Sequence, residues 1–584
     1  MRHRQSTGTT LRQSSKALSR ANKVFTQHFL FASCLFAALL FPSCVEDHRL
    51  KQAQSAKTDT VAPQSNTSTT TTATTSNLTS MANANMSGNM SVSREQQVQE
   101  SESPRGDAES YSHLEENPFL AVARAPLSTF AIDVDTASYS NTRRFLNENH
   151  LPPKDAVRIE EFINYFSYDY PQPVGTAPFS VTTEVSSCPW DTSHRLVHIG
   201  LQGKRIAQEN LPPGNLVFLI DVSGSMMEPD KLPLIKSSLA MLAEQLTARD
   251  HVAIVVYAGQ SGLVLPSTPG DHKGEIIGAL ARLEAGGSTN GGEGIQLAYK
   301  VAQTNFIKGG INRVILATDG DFNVGVTSED ELSRLIEEKR KSGVFLSVLG
   351  FGTGNVKDST MEKLADKGNG NYAYVDTLNE ARKVCGQEIG GTLYTIAKDV
   401  KIQVEFNPQL AAAYRLIGYE NRLLADRDFN DDKKDAGDIG AGHTVTALYE
   451  VVPYNQKYRN SGVDELKYQK PAQTSSATMN SKELLTVKLR YKEPQANASK
   501  LLNVGIVDGG EQFAKASDNL KFSSAVAAFG MLLKDSKYKG DMSYNRVLQL
   551  AKESTGADLQ GYRAEFVHLV ERARNLSVQH NARK

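Results

Sequence analysis

Residues 216–226 read LVFLIDVSGSM. The five apolar residues 216–220 have no polar side chain at either parity, the pattern of a strand buried on both faces, as in a parallel sheet with helices above and below. The run delivers Asp221, Ser223 and Ser225 onto the turn that follows, and Gly224 lets that turn close. One carboxylate and two hydroxyls at alternate positions can aim three oxygens at one point. Such a donor set suits a hard cation, Mg²⁺ or alternatively Mn²⁺ or Ca²⁺; Mg²⁺ prefers oxygens at ~2.0–2.1 Å in a near-octahedral array. The bland alternative is a strand-end turn whose Asp and Ser cap the next helix.

Two distant segments bear on that choice. Gly286-Gly287 is followed by Ser288-Thr289-Asn290, a loop that can carry the Thr289 hydroxyl to the same rim. A second β-branched apolar run, 314–318, ends in Asp319-Gly320-Asp321. In an open parallel sheet, ligands gather beyond the carboxyl ends of the strands where the strand order reverses. The pattern DxSxS, then Thr, then Asp resembles the von Willebrand factor type A domain and its metal ion-dependent adhesion site. By that resemblance Asp221, Ser223, Ser225, Thr289 and Asp319 hold the metal. In the family the last coordination position is typically filled by an acidic residue of the binding partner. The resemblance therefore implies a protein ligand with an exposed Asp or Glu.

Outward from this stretch the alternation is regular. Apolar runs at 216–220, 252–257, 314–318, 345–350 and 372–375 are separated by helical patterns at 232–246, 273–283, 292–304, 329–341, 359–367 and 378–388, with a short edge strand at 262–265. Strand and helix alternating in this way predict right-handed crossovers and a mostly parallel, doubly wound α/β sheet over 214–391. The flanks differ. Residues 179–185 and 195–203 read as two strands, and 397–406, 413–418, 443–451, 484–491 and 502–506 as five more with no helices between them. The economical expectation is one β-sandwich built from parts at 174–213 and 392–510, with the α/β domain inserted between them. A strand and two helices precede it at 117–173, and 511–584 is helical with apolar residues at i, i+3, i+4 spacing, the signature of packing.

The chain has 584 residues, too many for one domain, and a net charge of −1 from 64 Lys and Arg against 65 Asp and Glu. That balance leaves no basic footprint for nucleic acid. Basic residues from Arg2 to Lys23 precede an apolar run at 29–41, long enough for a signal-peptide core and short of the ~20 residues that span a bilayer. It ends in Phe41-Pro42-Ser43-Cys44, which resembles a bacterial lipoprotein cleavage box, with Phe41 where Leu is usual and Cys34 as a second candidate. The resemblance implies lipidation at Cys44, removal of 1–44 as a signal, and a lipid anchor in the cell envelope, with the outer membrane expected and either its periplasmic or its surface face open. Residues 45–116 are rich in Ser, Thr, Asn and Gln and read as a flexible tether.

Two further acidic motifs compete for function. Asp133-Val134-Asp135-Thr136 follows an apolar run and resembles motif I of haloacid dehalogenase-type phosphatases, in which Asp133 would be the nucleophile and Asp135 a general acid. The later stations of that pattern are missing. Residues 425–442 hold six Asp, but neither frame supplies the Gly and Glu of an EF-hand, so a solvated acidic loop is expected. No HExxH, phosphate loop or Ser-His-Asp order accompanies the metal motif. The wording of 417–450, with LATDGDFNVG at 316–325, resembles the YfbK-type group of bacterial type A domain proteins over nearly everything from Asn117 onward. The expectation is a non-enzymatic, metal-dependent protein-binding or adhesion module. A metal-dependent hydrolase or phosphatase, or an assembly partner of an AAA-type ATPase, is the alternative.

Overall fold

The computed structural model describes residues 109–287, 291–321, 329–454, 456 and 481–583. Cys44, the Thr-rich tract and Thr289 lie outside them.

Strands β1 (Leu120–Ala121) and β2 (Leu127–Ala131) come first, then helices α1 (Ala137–Asn147) and α2 (Ile159–Asn164), then strands β3 (Phe179–Ser187) and β4 (Arg195–Gly203). The α/β unit follows. Its elements are β5 (Gly214–Asp221), α3 (Leu232–Glu244), β6 (His251–Tyr257), β7 (Ser261–Pro269), α4 (Lys273–Ala281), α5 (Gly291–Thr304), β8 (Ile311–Thr318), α6 (Glu329–Lys339), β9 (Phe345–Gly350), α7 (Asp358–Lys367), β10 (Tyr372–Tyr374), α8 (Leu378–Arg382) and α9 (Ile389–Leu393). The sheet order is β10-β9-β8-β5-β6-β7, parallel throughout except for the antiparallel edge strand β7.

The apolar run of β5 is explained by what covers it. Leu216, Phe218 and Ile220 pack with Ile235 and Leu239 of α3 and Ile276 of α4. Val217 and Leu219 face the other way, into a core shared with Ile295 of α5, Ile336 of α6 and Leu364 of α7. Because β6 and β8 lie on opposite sides of β5, the strand order reverses at β5, which puts the carboxyl ends of β5 and β8 side by side.

The helix expected over 378–388 is interrupted: α8 stops at Arg382, a π turn runs over Lys383–Gln387, and α9 resumes at Ile389. Glycines at 386, 390 and 391 weaken α geometry there.

Beyond it come β11 (Thr395–Phe406), β12 (Ala411–Ile417), β13 (Ile439–Gly440), β14 (Thr444–Pro453), β15 (Glu483–Lys492) and β16 (Lys500–Val507), then α10 (Asp518–Lys534), α11 (Tyr544–Glu553) and α12 (Tyr562–Arg583). One sheet runs β1-β12-β14-β4-β3 and the other β13-β11-β15-β16, with β2 also on β11. β4, which precedes the α/β unit, pairs along its length with β14, which follows it, from Arg195 opposite Val451 to Gln202 opposite Thr444. The two sheets share one core, to which β4 and β14 bring Val197, Ile199 and Tyr449 and β2, β11 and β15 bring Phe130, Ile402 and Val487. The other face of the first sheet is covered by helices: Leu196, Ile417 and Leu448 meet Phe162 of α2, Phe529 of α10 and Phe566 of α12. The apolar stripes of the C-terminal helices are thus spent on packing.

Candidate metal centre

Asp221 is the last residue of β5, and Asp319 directly follows β8; both are fully buried. Ser223 is buried and Ser225 is exposed, so the turn after β5 carries its oxygens from the core to the surface. Asp221 Oδ1 accepts the backbone N–H of Ser223 at 2.9 Å, and its Oδ2 accepts the Thr318 hydroxyl at 3.2 Å. The Ser223 and Ser225 hydroxyl oxygens are 3.2 Å apart, and Ser225 donates to Asp319 Oδ2 at 3.0 Å. Neighbouring ligands of an octahedron with bonds of 2.0–2.1 Å stand about 3 Å apart, so the spacing fits that of adjacent ligands of a small divalent cation. Burial pushes the Asp221 carboxyl up to about 6, against the hydrogen bonds from Ser223 that oppose it. A carboxylate so desolvated is stabilised by an adjacent cation.

The turn is tied to the loop that leads toward Thr289. Gly224 donates to the Gly287 carbonyl at 3.0 Å, and Gly286 to that of Val222 at 2.7 Å. Gly287 has a φ of +85°, which favours glycine. Described chain therefore reaches the site two residues before Thr289, whose own placement lies outside the described residues.

Two residues join this site that sequence reasoning missed. Lys231, at the start of α3 and 5% exposed, sets its ammonium 3.0 Å from Asp319 Oδ2 and 2.8 Å from Asn355 Oδ1. Asn355, from the loop after β9, donates to the same Asp319 oxygen at 2.9 Å. The backbone of Gly352 packs on the Lys231 stem so closely that a Cβ there would overlap it. A lone Lys before a helix reads as a solvated charge, so no local signal marked it. Asp321 uses its backbone N–H to bond Asp319 Oδ1 at 3.1 Å.

The second acidic motif has another fate. Asp135 is buried, accepts the Tyr372 N–H at 2.7 Å and pairs with Arg422 at 3.1 Å. Arg422 also pairs with Asp133 at 3.5 Å, with Glu362 at 3.0 Å and with Asp366 at 2.5 Å. Gly437 lies on the Asp133 backbone with no room for a Cβ. The acidic loop over 425–442 is less solvated than expected: Asp426 accepts from Thr129 at 2.8 Å, Asp435 pairs with Arg340, and Asp438 accepts from the Asp399 N–H at 3.2 Å. Among the described residues no group of three or more His, Cys, Asp and Glu is arranged to hold a metal. The rim of β5 and β8 is a different donor set, two carboxylates with hydroxyls.

A family profile described as "von Willebrand factor" matches residues 105–198, one described as "von Willebrand factor type A domain" matches 215–387, and one described as "Uncharacterized protein YfbK, C-terminal" matches 391–576. The Escherichia coli K12 protein described as "Uncharacterized protein YfbK" is 46% identical over 470 residues, which cover 79% of this chain and 80% of that protein. The chain belongs to the YfbK family. Human inter-alpha-trypsin inhibitor heavy chain H4 is 28% identical over 161 residues, 26% of this chain and 17% of that one. A solved structure described as von Willebrand factor type A from Catenulispora acidiphila is 15% identical, covers 76% of this chain and 88% of its own, and superposes with a TM-score of 0.36. This YfbK-family chain thus has a type A α/β fold accompanied by further sheets and C-terminal helices.

Proposed function

We propose that the protein is an envelope-anchored, metal-dependent protein-binding module. Asp221, Ser223, Ser225, Thr289 and Asp319 would hold a divalent cation, Mg²⁺ first, with Mn²⁺ or Ca²⁺ as substitutes. The single observation carrying this reading is the convergence of the Ser223, Ser225 and Asp319 oxygens at spacings near 3 Å over two strand ends. The cation, when bound, supplies a coordination position that an outside carboxylate can take.

Charge counting strengthens the preference for an acidic partner. Asp221 and Asp319 against Lys231 leave one negative charge at the rim. A divalent cation turns that into one positive charge, which a carboxylate of the partner neutralises. Ser225 and Met227, both exposed at the rim, give such a partner a polar and an apolar contact. We read the module as non-enzymatic: the carboxylates of the competing Asp133-Val134-Asp135 motif are paired with Arg422.

The anchor is proposed at Cys44, with the protein held at the outer membrane by its acyl chains. Among the described residues no helix is long and apolar enough to cross a membrane. We further read the two flanking sheets as a β-sandwich into which the α/β domain is inserted, so the links near 204–213 and 391–395 join metal-binding domain to sandwich.

The test is capture of partners from envelope extract by the full chain in Mg²⁺, in EDTA, and with Asp221→Ala in Mg²⁺. A partner retained only by the wild type in Mg²⁺ supports the proposal, and equal capture in all three lanes refutes it.

A further inference from the structure

A cavity of about 690 Å³ lies between α6, α7 and the acidic loop over 425–442. That is within the roughly 300–1,000 Å³ of small-molecule sites. Most of the charge on its wall is already matched internally: Arg422 with Asp133, Glu362 and Asp366, Arg340 with Asp435, and Lys363 with Glu329. Arg313, Asp438 and Lys367 have no ion-pair partner among the described residues, and the first two are of opposite sign.

Arg313, near the start of β8 and at the far end of that strand from Asp319, is 2% exposed. Its guanidinium donates one hydrogen bond, from Nη1 to the Ser347 hydroxyl at 2.6 Å, and lies 5.8 Å from the Phe345 ring centroid. Its Nε has no partner among the described residues. No carboxylate pairs with it there, although a guanidinium carries five donors in a fork that matches a carboxylate. Asp438 lines the same cavity and, among the described residues, accepts from neutral donors, the Asp399 N–H at 3.2 Å and the Thr395 hydroxyl at 3.4 Å. Arg313 and Asp438 feel each other's charge without forming an ion pair, and burial weakens the charged form of both, lowering Arg313 to about 10 and raising Asp438 to about 7. A buried cation and a half-buried anion that line one cavity and do not meet call for something between them.

We propose that this cavity binds a free α-amino acid, its carboxylate on Arg313 and its ammonium on Asp438. A simple anion would answer Arg313 and add like charge beside Asp438; a simple cation would do the reverse. A small zwitterion answers both, and the half-buried His443 on the same wall offers a further polar contact to its side chain. The ligand makes no use of the metal rim, so the two sites are tested independently.

The experiment is titration calorimetry of the full chain, in EDTA, with each of the twenty amino acids and with acetate, methylamine and inorganic phosphate as single-charge probes. Saturable binding of at least one amino acid is expected, with none of the three probes binding comparably. Arg313→Gln and Asp438→Asn should each weaken that binding by about tenfold or more, the loss of one charge-assisted contact. Circular dichroism checks the folding of both, and if Arg313→Gln does not fold, Asp438→Asn decides alone. No amino acid bound at millimolar concentration, phosphate bound as well as any amino acid, or undiminished binding by a folded variant would each overturn the proposal.

Discussion

Asp133-Val134-Asp135 and Asp221-Val222-Ser223 both follow apolar strands, yet the fold treats them in opposite ways. The first pair is closed. Arg422 reaches across from the other flank and pairs with Asp133, Asp135, Glu362 and Asp366, so those carboxylates are matched within the protein. The second is left open. Asp221 and Asp319 are equally buried, but the ammonium beside them among the described residues, from Lys231, leaves a negative charge over, and the donor set ends in the exposed Ser225. Buried carboxylates by themselves do not mark a site; carboxylates whose compensation is incomplete and whose oxygens lead to solvent do.

The largest expected effect tests the closed region. Arg422→Met would leave the buried Asp135 and Glu362, and the half-buried Asp133 and Asp366, without that cation, a loss of about 3–5 kcal/mol typical of breaking a buried ion pair from one side. Urea unfolding of the full chain measures it. A midpoint equal to the wild type would break the comparison, since the hub would then not be compensating its carboxylates.

The open region predicts ligand-linked stability instead. Mg²⁺ at a thousandfold over its dissociation constant should raise wild-type stability by about 4 kcal/mol, and Asp221→Ala should show no such increment. Thermal unfolding with Mg²⁺ and with EDTA reads both. A Mg²⁺ increment that survives Asp221→Ala would place the cation elsewhere.

Acid titration sharpens the comparison only if the contribution of other buried groups is known, and His198 is the clearest of these. It is fully buried in β4, bonded through Nε2 to the Tyr170 hydroxyl at 2.8 Å, and burial lowers it to about 4. A depressed folded value means that its contribution is fully present above its ordinary value of 6.5 and is lost as pH falls toward 4. The loss is on the order of 3 kcal/mol for a shift of this size. His198→Gln should flatten the stability profile between those limits, and an unchanged profile would assign the acid sensitivity to the carboxylates.

The α/β sheet was legible in the sequence because β5 and β8 are apolar at both parities, and only a strand covered on both sides needs that. The rim was legible because strand ends, alternate hydroxyls and a second strand-end Asp each leave a local trace. Arg422 left none: its partners Asp133 and Asp135 are nearly three hundred positions away, and a single Arg beside an acidic loop has no period. The strand β2 itself was legible, but the pairing of β1 and β2 was not, because their partners β12 and β11 lie in the other flank. Lys231 was hidden for the opposite reason: it lies just beyond the turn after β5, immediately before α3, where a charge is ordinary.

That residue supplies the smallest effect and the most discriminating one. Lys231→Met keeps most of the aliphatic stem that packs against Gly352 and removes the ammonium from Asp319. The rim then holds two carboxylates with no internal cation, so Mg²⁺ should bind about tenfold tighter, ~1.4 kcal/mol, by calorimetry. The loaded site would at the same time lose its surplus positive charge, so an acidic partner should bind more weakly. Metal and partner therefore move in opposite directions if Lys231 stands in for the cation. Were both to weaken together, Lys231 would instead be holding Asp319 in position for the metal, and the charge count that favours an acidic partner would have to be drawn without it.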